Sequence, residues 1–318
     1  MIYNQYLMNP TEFWQNFKMR EEQEIACNFV FDALRNLHEM ESLSLETEIF
    51  PVLYNLSVGL ERLFKVAIVL LEVDETTNVE EFARSLITHN HIVLLDRIKK
   101  KSPLSFGPAQ TGLLNLLAVF YEDHRYGRFD IAQRDNLSKD KKLFHTYLQK
   151  YLNIDTTDDD LLAIENTAQV KKFMGKTVKK ITKDLYSLID KAATAKNLYT
   201  CEISGSWSKA AKVVWGNEEI TFEEEEIVMM EVLIYLLKTT ESTRINLLKE
   251  IEPLPLDPAL DGEYLHFMIR KQTGFLSAIM GEVEDKQADS KNQKDRLEMI
   301  KAIKDPRLEF VNPEDTEI

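Results

Sequence analysis

PVLYNLSVGLERLFKVAIVLLEVDETTNVEEFARSLITHNHIVLLDRI, residues 51–98, is the stretch that decides the fold. Leu53, Leu56, Leu60, Leu63, Phe64, Ala67, Ile68 and Leu71 recur at spacings of three and four, which puts them on one buried stripe of an amphipathic helix. Glu61 and Lys65 are four apart with Glu first, the order that pairs across one helical turn. The segment 74–79 is a turn, and 79–86 is a short helix. Thr88-His89-Asn90-His91 is a break with N-cap character, and a helix resumes over 92–99. An Arg and two His within eight residues, Arg84, His89 and His91, make this break the first place to look for chemistry.

Outward from this stretch, the chain of 318 residues is long enough for one large or two ordinary domains. Gly and Pro are scarce, at 10 and 9 residues, while Leu, Lys, Glu, Ala and Ile abound, which favours helices on short connections. A net charge of −14 argues against an overall electrostatic grip on nucleic acid but leaves room for a local basic groove. Cys27 and Cys201 are expected as free, buried thiols of a cytoplasmic protein. No basic start leads into an apolar run, and the longest such run, Val66 to Leu71, is far too short to span a bilayer, so no membrane association is expected. No cofactor is implied. His89-x-His91 has no third ligand nearby, so no metal site is expected either.

On the N-terminal side, Tyr3, Tyr6, Phe13, Trp14 and Phe17 make an aromatic segment that docks on the body, with Thr11 expected to cap a helix from Glu12. Residues 21–42 form a second amphipathic helix. On the C-terminal side, 102–112 is a loop and Leu113 to Tyr121 is apolar and buried. Glu122 to Asp130 packs His124, Arg125 and Arg128 with Tyr126 and Phe129 around a glycine, and 139–152 is a further amphipathic helix. The acidic stretch 153–160, NIDTTDDD, is the expected linker. Beyond it, 161–196 is one long or kinked helix whose Lys171, Lys172, Lys176, Lys179, Lys180 and Lys183 give it a basic face. Met174-Gly-Lys-Thr177 lacks the first glycine of a phosphate-binding loop and belongs to ordinary helix. Leu198 to Ile203 alternates as a strand would, and 209–215 is a returning strand or a short helix. Thr221 and Glu224 have the spacing of a capping box, 228–237 is expected as core, and 264–280 as a last core helix. The expected architecture is all-α: a bundle over 1–152, a helical domain over 161–304 with at most a small β excursion, and an acidic tail over 305–318.

Leu60-Glu61-Arg62-Leu63-Phe64-Lys65, then Thr88-His89-Asn90-His91 before Ile92 to Leu95, then Arg125-Tyr126, follow one another along the chain. In that order they resemble the motifs of the HEPN superfamily, small helical domains of bacterial toxins and phage-defence proteins; His91 stands where the family usually has Leu. Residues 170–215 are similar to the second half of long members of that group. The resemblance implies a helical bundle acting on RNA as a metal-independent endoribonuclease, with its site at a homodimer interface and an R-x(4–6)-H motif. Arg84 precedes His89 and His91 at those gaps, although Ser85 stands where the motif usually has Asn, Asp or His.

In that chemistry a ribose 2′-hydroxyl attacks the adjacent phosphate, an imidazole moves the proton and a guanidinium holds the phosphoryl charge. The implied catalytic residues are His89, Arg84 and Arg125. Glu61, Lys65, His91, Tyr126 and Arg128 are the implied substrate-binding residues. A second expectation is a non-catalytic interaction or sensor module of an antiphage defence or toxin–antitoxin system, with a protein partner rather than RNA.

Overall fold

The computed structural model describes residues 9–124, 138–152, 164–198, 208–215, 218–239, 242–270, 276–289 and 292–304. The all-α expectation holds: among the described residues there is no strand, only an isolated bridge between Ser42 and Glu165. The chain divides into two compact units, 1–221 and 222–318.

The first unit is built around α3, Glu46–Glu72. The stripe read from the sequence is buried except for half-buried Leu71, and Val52, Ser57, Gly59, Glu61, Val66, Val69 and Leu70 are buried too. The helix is therefore wrapped on most sides, and its polar residues are held inside rather than on a wet face. Pro51 falls early in α3, within a helix that continues through it. Helix α1, Pro10–Phe13, is capped by Asn9 in a reciprocal box with Glu12, so the cap is Asn9 and not Thr11. It runs through a π-helical stretch, Trp14–Lys18, into α2, Met19–Glu39, which lies along α3. The two backbones meet at Gly59, where an added Cβ would stand 2.8 Å from both Ala26 O and Val30 Cγ2.

Short helices α4, Val79–Ser85, and α5, His91–Lys99, follow the turn after α3. Then come α6, Pro108–Val119, which starts inside the span expected to be loop, a π-helical turn Phe120–His124, and α7, Lys139–Leu152. Of these, α5 and α7 pack on α3, and α6 packs on α5.

The acidic stretch 153–160 does not separate the units. Just beyond it, Leu43 N donates to Ile164 O at 2.7 Å and Asn166 N to Glu41 O at 2.9 Å. The buried Asn166 amide donates to Leu37 O and Met40 O at 2.6 and 3.0 Å, closing the C-terminus of α2. These bonds return α8, Ala168–Ala195, to the face of α3, so the boundary moves to 221/222. Residues 209–214 form α9, a helix, which packs on α2, while 199–207 lie outside the described residues.

The second unit holds α10, Glu223–Lys238; α11, Thr243–Glu250; α12, Asp261–Arg270; α13, Leu276–Ala288; and α14, Gln293–Lys304. Two expectations fail here. Residues 228–237 are not core: Val228, Tyr235 and Leu237 are 60%, 61% and 68% exposed, because α10 is apolar all round and packs within its unit chiefly on α12. Nor is 264–280 core throughout: Met268 in α12 and Met280 in α13 are exposed, and 271–275 lie outside the described residues. Phe222 stands at the N-cap of α10 with no side-chain cap bond, so the box with Thr221 does not form, although Glu223 to Glu226 do fill the first turn. The tail 305–318 lies outside the described residues.

Candidate functional site

The candidate site lies where the α4–α5 connection crosses α3. Glu61 is buried on α3, and Lys65, one turn on, donates its Nζ to Glu61 Oε1 at 2.6 Å. The second carboxylate oxygen, Oε2, is 3.0 Å from His89 Nδ1. A carboxylate only accepts, so His89 Nδ1 carries the proton, and in the neutral ring Nε2 keeps its lone pair. The His89 side chain is 44% exposed against 10% for Glu61, and no described residue is bonded to Nε2. Among the sequence-expected residues the structure thus joins Glu61, Lys65 and His89: a shielded carboxylate orients a half-exposed imidazole whose other nitrogen has no bonded partner among the described residues.

The residues around His89 are fixed by local bonds. Thr88 Oγ1 accepts from Asn90 N at 3.2 Å. Asn90 Oδ1 caps α5 by accepting from Ile92 N and Val93 N at 3.0 and 3.1 Å, and its Nδ2 donates to Glu122 Oε2 at 3.0 Å. The His89 ring packs on Tyr121, 4.6 Å between centroids, and Tyr121 stacks on Tyr54 at 6.4 Å. Tyr121 and Glu122 belong to the π-helical turn after α6, whose altered register sets both beside the α5 cap. Asn90, Tyr121 and Glu122 were missed as site residues. The cap signal at 88–91 pointed to Asn90, but nothing in the sequence announces a π turn.

His91 is not a binding residue. It is fully buried at the start of α5, with Nε2 donating to Ser57 O at 2.9 Å. Burial pushes its pKa down to about 4, outweighing the Ser57 carbonyl and the Glu61 carboxylate that favour the charged form, so the ring is neutral. Its Nδ1 and the Ser57 hydroxyl have no hydrogen-bond partner.

Arg84 is not brought to His89. Its side chain lies on the exposed side of α4 and its hydrogen bond, Nε to Glu80 O at 3.3 Å, stays within that short helix, which buries no residue. The arginine that organises this region is Arg97. Its Nε and Nη2 grip Glu72 at 2.6 to 3.1 Å, its Nη1 donates to Ser85 O and Oγ, and its guanidinium lies over the Phe82 ring. Arg125, Tyr126 and Arg128 lie outside the described residues. Among the described residues no group of three or more His, Cys, Asp or Glu is placed to hold a metal, and no helix is long and apolar enough to cross a membrane.

The basic face of α8 is largely neutralised. Lys172 and Lys176 face Glu219 at 4.0 and 3.8 Å, Lys183 meets Glu218 at 3.1 Å, and Lys180 meets Asp184 at 2.8 Å. Lys179 is buried, donating to Lys212 O and Trp215 O at the end of α9, and burial lowers its pKa to about 8. Cys27 is buried, its thiol pushed up to about 12 by desolvation.

Compared with protein-family models, with curated proteins and with solved structures, the chain finds no match.

Proposed function

We propose that the protein is a HEPN-like defence or toxin protein that cleaves RNA without a metal. The observation that carries this reading is the Glu61–His89 pair, with Nδ1 tied to a shielded carboxylate and the imidazole half-exposed. In the proposed step His89 Nε2 takes the proton of a ribose 2′-hydroxyl, and the 2′-oxygen bonds to phosphorus. The bond from phosphorus to the 5′-oxygen breaks, that oxygen takes a proton from water, and the hydroxide so formed takes back the proton held by His89. The products are a 2′,3′-cyclic phosphate and a 5′-hydroxyl. Glu61 holds the tautomer and steadies the imidazolium that forms. Lys65 supplies positive charge one turn from Glu61. Arg125 and Arg128 are proposed as phosphate partners, and a homodimer as the assembly, on the strength of the resemblance alone; the cytoplasmic setting is proposed from the cysteine usage.

The test is purified protein on total RNA, with and without chelator. Expected are chelator-resistant cleavage and 2′,3′-cyclic ends, both lost in His89→Ala. Cleavage that survives His89→Ala, or that chelator abolishes, overturns the reading.

One observation favours a second reading, a non-catalytic interaction or sensor module with a protein partner. Around α10, Ile227, Val228, Val232, Ile234, Tyr235 and Leu237 are exposed, a larger set of exposed apolar side chains than an isolated surface helix carries. That reading expects biological activity to persist in His89→Ala and to fail in Val232→Glu/Tyr235→Glu.

A further inference from the structure

Helix α5 carries more than the cap beside His89. Val93, Asp96 and Arg97 on the helix, Lys100 and Lys101 just past its end, and Glu72 on α3 line an open cleft of about 490 Å³. The charges in it are not evenly matched. Arg97 is occupied by Glu72, with Nη2 to Oε2 at 2.6 Å, and Asp96 faces Lys99 at 3.2 Å. Lys100 and Lys101 are exposed, and no carboxylate pairs with either among the described residues. The backbone N–H groups of Lys101 and Ser102 both donate to Ile98 O at 2.9 Å, so the turn that displays the two lysines is set by the backbone and leaves their ammonium groups unengaged. Val93, 54% exposed, gives the cleft an apolar spot among its charges.

The cleft runs along α5 from Val93 to the two lysines, and His89 lies just before the helix begins. The nine residues of α5 rise about 14 Å, the reach of a short run of nucleotides. A strand whose scissile phosphate sits at His89 and which follows α5 passes Val93 and reaches Lys100 and Lys101. Two adjacent, unengaged ammonium groups with a hydrophobic contact between them and the reactive end suit a polyanionic backbone whose sugars or bases touch the wall.

We infer that this cleft tracks the phosphate backbone of single-stranded RNA away from His89, through Lys100 and Lys101. The inference rests on the ribonuclease reading for the direction of the strand. The bulk charge of −14 is no obstacle, because only the local pair engages.

The test uses the full chain and a fluorescent single-stranded RNA with 2′-O-methyl riboses, which such a reaction cannot cleave. Wild type, Lys100→Gln/Lys101→Gln, and Lys172→Gln/Lys176→Gln are titrated by anisotropy across a salt series, and each is assayed on cleavable RNA. The α5-end pair is expected to lose about tenfold in affinity at low salt. Its log K against log salt slope should flatten by about 1.4, the value for two single-strand phosphate contacts. The α8 pair, already facing Glu219, is expected to match wild type. If the Lys100/Lys101 variant binds and cleaves as wild type does, the cleft inference is overturned and the ribonuclease reading stands. If wild type cleaves nothing but binding depends on these two lysines, the ribonuclease reading and the direction of the strand from His89 fall together, and the cleft stands as an RNA-binding surface. A mononucleotide that competes as well as the oligomer overturns backbone tracking in favour of a single-phosphate site.

Discussion

His89 and His91 are two residues apart and do opposite things. His89 shares Glu61 with Lys65 and is half-exposed, so Glu61→Gln should keep the fold while weakening the orientation of the ring. If His89 is the general base, His89→Ala is expected to lower kcat by about 10²–10⁴ and Glu61→Gln by about tenfold or more, read on a defined RNA. His91 is a stability residue. The unfolded chain takes a proton on this ring near pH 6.5, whereas the folded chain resists until about pH 4. Its neutral burial is fully compatible with folding above pH 6.5. Stability is lost as the pH falls through that window, by about 3 kcal/mol in all. Urea unfolding of His91→Leu against wild type at pH 7.5 and pH 4 checks this: the loss between the two values should be smaller in the variant by about that amount.

At the scale of elements, α5 is held at its start by Asn90, which caps two amides and reaches Glu122. Asn90→Ala should cost about 1 kcal/mol, typical of a lost cap, and should loosen His89 with it. Thermal unfolding reads the first effect, and the His89 ring signals in an NMR spectrum read the second. The α2–α3 contact depends on a missing side chain. Gly59→Ala forces a Cβ against Ala26 O and Val30 Cγ2, and since one of those is backbone the pair of helices must part. A loss of about 1–3 kcal/mol is expected by chemical denaturation, against the small gain alanine gives in an unhindered helix. The same reasoning applies at Gly175, whose Cβ would meet Ile220 O.

At the scale of the whole molecule, the first unit closes only when α8 has returned to α3 and Asn166 has closed α2. A chain ending at Thr221 should therefore keep cooperative, helical thermal unfolding, followed by circular dichroism. A chain ending at residue 152 lacks α8 and should unfold at markedly lower temperature or without a sharp transition. An equal midpoint for the two would show that the α8 contacts contribute nothing to the bundle.

Local patterning was enough for the all-α class, for α3, α4 and α7, for the turn at 74–79 and for the Glu61–Lys65 pair, because each depends on neighbours within one or two helical turns. His89 and Glu61 were both named in advance, but 28 residues separate them and only the packing of α5 on α3 makes them partners. Arg84 shows the reverse. Its spacing to His89 satisfies a motif, yet spacing along the chain does not fix direction, and the side chain turns outward on an exposed helix. Helix α10 read as core because apolar content says that a surface prefers burial, not that the fold has something to bury it against. Periodicity thus determined which segments are helical. Which polar groups meet, which lysines stay unpaired and where one unit ends were decided by tertiary packing, since these depend on contacts between residues far apart in the chain.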